Sequence, residues 1–267
     1  MSTERFPATQ LGRTTWLVVG SGIVALAVAM GIGRFAFTPL MPLMMRDGTL
    51  SAAAGAEWAA ANYVGYLVGA LTASWFSGDP RRGLRLSLLG VALTTVAATW
   101  TEGESTALVG AVLRAAAGVF SAWTLVCASS WYLAELARRH VSPLGAWIYT
   151  GVGLGIALAG ALAWLGGRQP ARWLWLELGL IAFAGTAFVG LSLQGRSAFS
   201  ASPGARASSA TTPGTKHGHL LLVLCYGAFG FGYIVPATFL PAMAQQLVSD
   251  PLVFGLTWPC RREGCWN

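Results

Sequence analysis

Charged residues are scarce in this sequence. Only 10% of its 267 residues are charged, whereas hydrophobic residues make up 55%, and the mean hydropathy is +0.59. A soluble domain usually carries about 25% charged residues, because its surface faces water. The composition therefore excludes an ordinary soluble globule and indicates a protein whose surface faces lipid.

Lysine, histidine and cysteine are scarce as well. Lys216 is the single lysine, and the three histidines are His140, His217 and His219, all in or beside connections between apolar runs. The spans thus lack a Schiff-base lysine, haem-ligating histidines and the histidine of a Ser–His hydrolase. The four cysteines lack the paired spacing of a zinc site, and no Gly-rich phosphate cradle of the Walker type is present. We therefore expect no enzyme activity, no ATP-driven pump, no cofactor and no metal.

Long apolar runs dominate the sequence instead. A helix needs about 20 apolar residues to cross the hydrocarbon core, and these runs lack the short alternation of barrel strands. They predict an all-α integral membrane protein with a six-span N-terminal bundle and one further span. The seven predicted spans are approximately Thr15–Phe37, Ala53–Phe76, Leu84–Trp100, Thr106–Ala134, Pro143–Leu165, Arg172–Leu193 and His219–Met243.

The domain organisation follows from a polar connection after the sixth span. Residues 195–218 are rich in Ser, Gly, Pro and Ala without an apolar period, which is typical of a linker. We therefore predict a bundle at 1–194, a cytoplasmic linker at 195–218, a seventh span at 219–250 and a C-terminal tail at 251–267.

The basic residues predict the orientation, because cytoplasmic connections carry an excess of Lys and Arg. A cytoplasmic N-terminus puts ten basic residues inside: Arg5, Arg13, Arg81, Arg82, Arg85, Arg138, Arg139, Arg196, Arg206 and Lys216. It leaves three on the outer connections before the seventh span: Arg46, Arg168 and Arg172. These clusters flank spans and form no contiguous basic face, so we expect no nucleic-acid partner.

Four charged residues fall within or at the edge of predicted spans, where a charge costs about 2.5–3.5 kcal/mol or more on insertion scales. Arg114 either makes an ion pair or caps backbone carbonyl groups, or it serves as an anion or proton-coupling site. Arg34 either snorkels to the interface or joins a network with Glu57 or Glu177. Those two glutamates either pair at the interface, or one of them titrates during transport.

Three stretches resemble a known family of carriers. They are GIGRFAFTPLMPLM (31–44), ANYVGYLVGAL (61–71) and GYIVPATFLPAMA (232–244). The sequence is similar to the YbfB/YjiJ-like carriers of the major facilitator superfamily. That resemblance implies two six-span bundles around a central cavity that opens alternately to each side.

The resemblance also assigns site candidates. Arg114 and Gly118 in LRAAAGVFSA match an Arg-x-x-x-Gly signature of the superfamily, and SGDPRRG matches its cytoplasmic gate loop with a contracted spacing. The charges in the predicted spans and this signature together give the candidates for the solute or coupling-ion path: Arg34, Glu57, Arg114, Gly118 and Glu177. The candidates for the gate loop are Asp79, Arg81 and Arg82.

The function that these features imply is secondary active, ion-coupled transport of a small solute across the bilayer. The two arginines favour an anionic or zwitterionic solute. We expect a multi-pass protein of a bacterial inner membrane, and the oligomeric state stays open.

The C-terminal tail changes character within a few residues. DPLVFGLTWPCRREGCWN begins apolar and then becomes polar, where an eighth span would be expected. The sequence thus predicts a truncated or frameshifted carrier that inserts without transporting. The alternatives are a short carrier that dimerises, and a non-transporting membrane fragment or assembly partner with a structural or binding role.

Overall fold

Helices account for the regular structure of the described part of the chain. The computed structural model describes residues 12–76, 78–101 and 106–194, together with Leu224, Cys225, Gly227, Ala228 and Gly232. The helices in these ranges are α1 Arg13–Leu26, α2 Phe37–Arg46, α3 Ala52–Thr72, α4 Pro80–Ala97, α5 Thr106–Arg138, α6 Thr150–Leu165 and α7 Ala171–Gln194. Short 3-10 segments adjoin three of them: Ala73–Phe76 after α3, Ala98–Trp100 after α4 and Ser142–Tyr149 before α6.

Helix α1 continues into α2 through a π-helical segment, Ala27–Phe35, of nine residues. The three pieces form one continuous rod, Arg13–Arg46, which is longer than the predicted first span. Two prolines do not end it: Pro39 falls in the first turn of α2, where a missing N–H is tolerated, and Pro42 lies within the helix.

Five helical rods in the described ranges are long and apolar enough to cross a membrane: Arg13–Arg46, Pro80–Trp100, Ala107–Arg138, Ser142–Leu165 and Ala171–Leu193. They coincide with the predicted first, third, fourth, fifth and sixth spans. The predicted second span forms α3, which is rich in Ala and Gly, carries Glu57 and Asn62, and is not among the five. The predicted seventh span lies almost entirely outside the described residues, so the number of spans remains a prediction.

Helices α3 and α5 approach each other at backbone distance. A Cβ atom added to Gly65 would overlap the carbonyl of Ala115, and one added to Gly118 would overlap the carbonyl of Asn62. In lipid, small residues at such contacts let two helices come close enough for van der Waals packing along their backbones. The contact fixes the position of α5 relative to α3 and so places Arg114 and Gly118.

The side chains divide between a packed interior and an apolar exterior. Trp58, Tyr132 and Trp175 are among the largest fully buried side chains. Large apolar side chains also cover the outside of the bundle, for example Leu71 at 74% and Leu165 at 72% exposure. A soluble protein rarely exposes so much apolar surface, whereas a bundle surrounded by lipid requires it.

Polar contacts tie the bundle together at both ends. At the end where α2 stops, Arg46 donates hydrogen bonds to the carbonyls of Gly167 and Gln169, and Asp47 Oδ2 accepts one from Ala171 N at 2.7 Å. At the end where α1 begins, Arg139 Nη1 lies 3.3 Å from Thr14 Oγ1.

The chain separates into two units, Met1–Gly195 and Arg196–Asn267. All seven helices belong to the first unit. The predicted linker and tail lie outside the described residues, as does most of the seventh span, and the division into domains stays a prediction.

Candidate functional site

Arg114 is a buried cation on α5, with 4% of its surface exposed. Its Nη1 donates a hydrogen bond to the carbonyl of Gly33 at 3.1 Å, and its Nη2 donates one to the carbonyl of Arg34 at 3.0 Å. The guanidinium carbon also lies 5.1 Å from the ring centre of Phe37 and 5.9 Å from that of Trp175. The structure thus shows the capping of backbone carbonyls, and a role of Arg114 as an anion or proton-coupling site stays a prediction.

The local sequence explains why the Arg34 carbonyl is open to a donor from another helix. Gly33 and Arg34 lie near the end of the π-helical segment, where a carbonyl bonds to the N–H five residues later. Five residues after Arg34 stands Pro39, which has no N–H. The Arg34 carbonyl therefore lacks the partner that π geometry would give it at position 39. Arg114 supplies donors from α5.

Arg34 lies on the same segment but has aromatic neighbours. Its guanidinium carbon is 3.9 Å from the ring centre of Tyr66, and it lies 5.4 Å from the ring centres of both Phe35 and Tyr63. Its Nε is buried and has no hydrogen-bond partner among the described residues. The Nε–H of this guanidinium is therefore a donor that an oxyanion can use.

The structure corrects the acidic network expected for Arg34. Across the described ranges, neither Arg34 nor Arg114 forms an ion pair, since the ion pairs there join Arg46 to Asp47 and Glu135 to Arg138 and Arg139. Glu57 is exposed on α3. Glu177 is partly buried and accepts a hydrogen bond from Gln169 Nε2 at 3.1 Å. Both glutamates are therefore separate from the two arginines.

Gly118 takes part in the site through packing. Besides the Asn62 carbonyl, a Cβ at this position would lie 2.8 Å from the backbone nitrogen of Tyr66. The side chain of Asn62 is buried, and its Nδ2 donates to the carbonyl of Arg114 at 2.9 Å. The absent side chain at Gly118 thus lets α3 bring Asn62 and Tyr66 next to the arginines.

The predicted gate-loop residues lie at the start of α4. Asp79 is its N-cap and accepts a hydrogen bond from Arg82 N at 3.0 Å, and Pro80 occupies the first turn. The Arg81 guanidinium carbon lies 5.2 Å from the ring centre of Trp131 on α5. The contracted loop therefore forms the N-terminal cap of α4. Its role as a cytoplasmic gate stays a prediction.

Sequence reasoning missed three residues of interest. Asn62 and Tyr66 lie in the same helix as Glu57. Their spacing of four residues places them on one face of that helix, but the sequence does not show which helix packs against this face. Glu135, which is 5% exposed, accepts hydrogen bonds from Arg138 and Arg139. Its signal was present in LAELARR, where a glutamate precedes basic residues by three and four positions. No three His, Cys, Asp or Glu side chains group as a metal site would require in the described part of the chain.

Comparison with known proteins gives one family match. The family model described as "Uncharacterised MFS-type transporter YbfB" matches residues 26–263. No curated protein and no solved structure gives a significant match. The matched range includes α2 to α7, the whole π-helical segment and both arginines.

Proposed function

The chain belongs to the YbfB-like family of MFS-type transporters, a membrane transport family of the major facilitator superfamily, and on that premise we propose that it carries a small anionic solute. Transport would be secondary active and coupled to an ion. Arg34 would supply the positive contact with the solute. A zwitterionic solute fits the same contact through its carboxylate.

One observation supports an anion above other solutes. The Arg114 side chain donates to the backbone carbonyl of Arg34, so the two residues are neighbours in space. Neither side chain has a carboxylate partner among the described residues. Two guanidinium groups in a membrane-spanning bundle are expensive without a counter-charge. A bound anion would supply that charge, and a stacked guanidinium offers a carboxylate two parallel N–H donors.

The orientation and the gate belong to the same proposal. Arg139 and the start of α1 share one end of the bundle, and the basic excess of the sequence favours that end as cytoplasmic. Asp79, Arg81 and Arg82 would then face the cytoplasm at the start of α4. The proposed location is a bacterial inner membrane.

A binding experiment tests the solute class. The purified chain in lipid nanodiscs is melted with acetate, succinate or benzoate and with the neutral amide of each acid. We expect at least one carboxylate to raise the melting temperature while its amide does not, because a ligand that binds the native state stabilises it. Arg34→Gln should remove that shift.

The matched control is Arg168→Gln, which removes the same charge from an exposed connection. This variant should keep the carboxylate shift at its original size. The proposal is wrong if carboxylates and amides shift the melting temperature equally, or if the shift persists in Arg34→Gln.

A further inference from the structure

We infer that Arg114 is a positioning residue, which holds the π-helical segment Ala27–Phe35 in the register that presents Arg34 to a solute. The inference rests on the proposed function for the role of Arg34, and on the contacts of Arg114 for everything else. It separates two arginines that the sequence treats as equivalent candidates: Arg34 contacts the anion, and Arg114 shapes the backbone that carries Arg34.

Both Nη groups of Arg114 are engaged with the backbone of the π-helical segment. Each Nη group donates to a backbone carbonyl, at 3.1 Å for Gly33 and at 3.0 Å for Arg34. The Nε donor is buried without a partner in the described ranges, and aromatic rings flank the guanidinium. An anion that took the place of the two carbonyls would leave them unpaired, at about 1–3 kcal/mol for each buried group, which favours Arg34 over Arg114 as the anion contact.

A second donor on the same helix supports this reading. Ser121 is fully buried, and its Oγ donates to the carbonyl of Ala29 at 2.7 Å. Arg114 and Ser121 are seven residues apart, two helical turns, so they lie on one face of α5. Both contact the π-helical segment, one near its end and one near its start. Helix α5 thus holds this segment at two points through backbone carbonyls.

Glycines make the segment dependent on its neighbours. A Cβ on Gly31 would overlap Gly155 of α6, and a Cβ on Gly33 would lie 2.7 Å from Ser121 Oγ and 2.9 Å from a methyl of Val91. The segment is therefore enclosed on several sides, and at Gly31 and Gly33 it has no side chain of its own to fix its register. The hydrogen bonds from α5 fix that register, and Arg34 points toward Tyr66 as a result.

The role of Pro39 gives a direct test by rescue. Pro39→Ala restores an N–H that can bond to the Phe35 carbonyl in α geometry or to the Arg34 carbonyl in π geometry. If Arg114 acts through the backbone, this substitution should reduce the damage done by Arg114→Met. If Arg114 binds the anion itself, a new backbone N–H at position 39 cannot replace it.

Hydrogen–deuterium exchange of the purified full chain measures the backbone effect without any ligand. In Arg114→Met we expect faster exchange in peptides that cover residues 27–42, with little change in peptides from α7. Adding Pro39→Ala should slow that exchange again. Ser121→Ala should accelerate exchange in the first half of the segment only.

Carboxylate affinity, measured by the same melting experiment, gives the functional side. Arg114→Met should weaken binding about tenfold, which corresponds to about 1.4 kcal/mol, and the double variant with Pro39→Ala should recover most of it. Arg114→Lys keeps the charge but loses the planar fork that reaches both carbonyls, and it should fall between wild type and Arg114→Met. It also provides the test if the methionine variant does not fold.

Two results would overturn the inference. Unchanged exchange at residues 27–42 in both Arg114 variants would show that the residue does not hold the segment. Lost affinity that Pro39→Ala fails to recover would make Arg114 a ligand. If the wild-type chain binds no carboxylate, the proposed function fails, while the exchange data still decide whether Arg114 positions the segment.

Discussion

Arg114 and Glu135 lie on the same helix and are almost equally hidden, at 4% and 5% exposure, yet their charges are stabilised in opposite ways. Glu135 is paired with Arg138 and Arg139, which stand three and four residues later and expose 63% and 26% of their side chains. Arg114 is held by carbonyls of a different helix. The first arrangement stays connected to solvent through its partners, whereas the second is enclosed in the bundle.

The difference implies that equal burial does not mean equal energetic importance. If Glu135 is removed, the two arginines can turn toward water at the end of the helix. If Arg114 is removed, two backbone carbonyls lose their donors in an environment that offers no water. We therefore expect substitutions at the two positions to have very different effects on stability.

The largest effect is expected for Arg114→Met, which keeps a long side chain but removes the donors. Two unpaired carbonyls should lower the free energy of unfolding by on the order of 3 kcal/mol. Unfolding by SDS in mixed micelles measures this value, with Arg168→Met as the exposed control. A loss as small as that of the control would show that the carbonyls find other donors.

A smaller effect is expected for Gly118→Ala, which adds one methyl between α3 and α5. The new Cβ would overlap the Asn62 carbonyl, so the helices must separate, at about 1–3 kcal/mol for overpacking. Gly153→Ala is the matched control, because nothing lies within 4 Å of a Cβ there. Equal unfolding curves for the two variants would contradict the close contact.

The smallest effect is expected for Glu135→Gln, which keeps the shape and removes the charge. Its partners are partly exposed, and pairs of this kind contribute roughly 0–1 kcal/mol. The same SDS titration should place this variant near wild type. A loss as large as that of Arg114→Met would mean that the Glu135 pairs are shielded from solvent in the membrane and that the contrast between the two sites is false.

Much of the fold was predictable because lipid imposes a simple rule on sequence. Backbone polar groups must be satisfied inside the membrane, so long apolar runs become helices, and five predicted spans coincide with such helices. The bounds were less predictable. The first helix extends to Arg46 beyond the predicted Phe37, because π geometry and two prolines are accommodated within one rod.

The candidate site was predictable only in part. Arg34 and Arg114 stand out in the sequence because charge is rare in an apolar span. The network expected between Arg34 and Glu57 or Glu177 is not found among the described residues, because attraction between opposite charges does not determine which helix faces meet. Asn62 and Tyr66 were missed for the same reason: their role depends on the approach of α3 to α5 at Gly118.

The scarcity of charge is a property of the sequence itself. The helices and the Glu135 pairs were also determined by the sequence, because each depends on residues a few positions apart. Only the tertiary structure decided what Arg114 and Arg34 contact. A carbonyl that lacks an intrahelical donor has no signature in composition, and its partner can come from any helix that packs nearby. Here Pro39 lacks the N–H that the Arg34 carbonyl would meet in π geometry, and close packing of α5 against the π-helical segment brings Arg114 to that carbonyl.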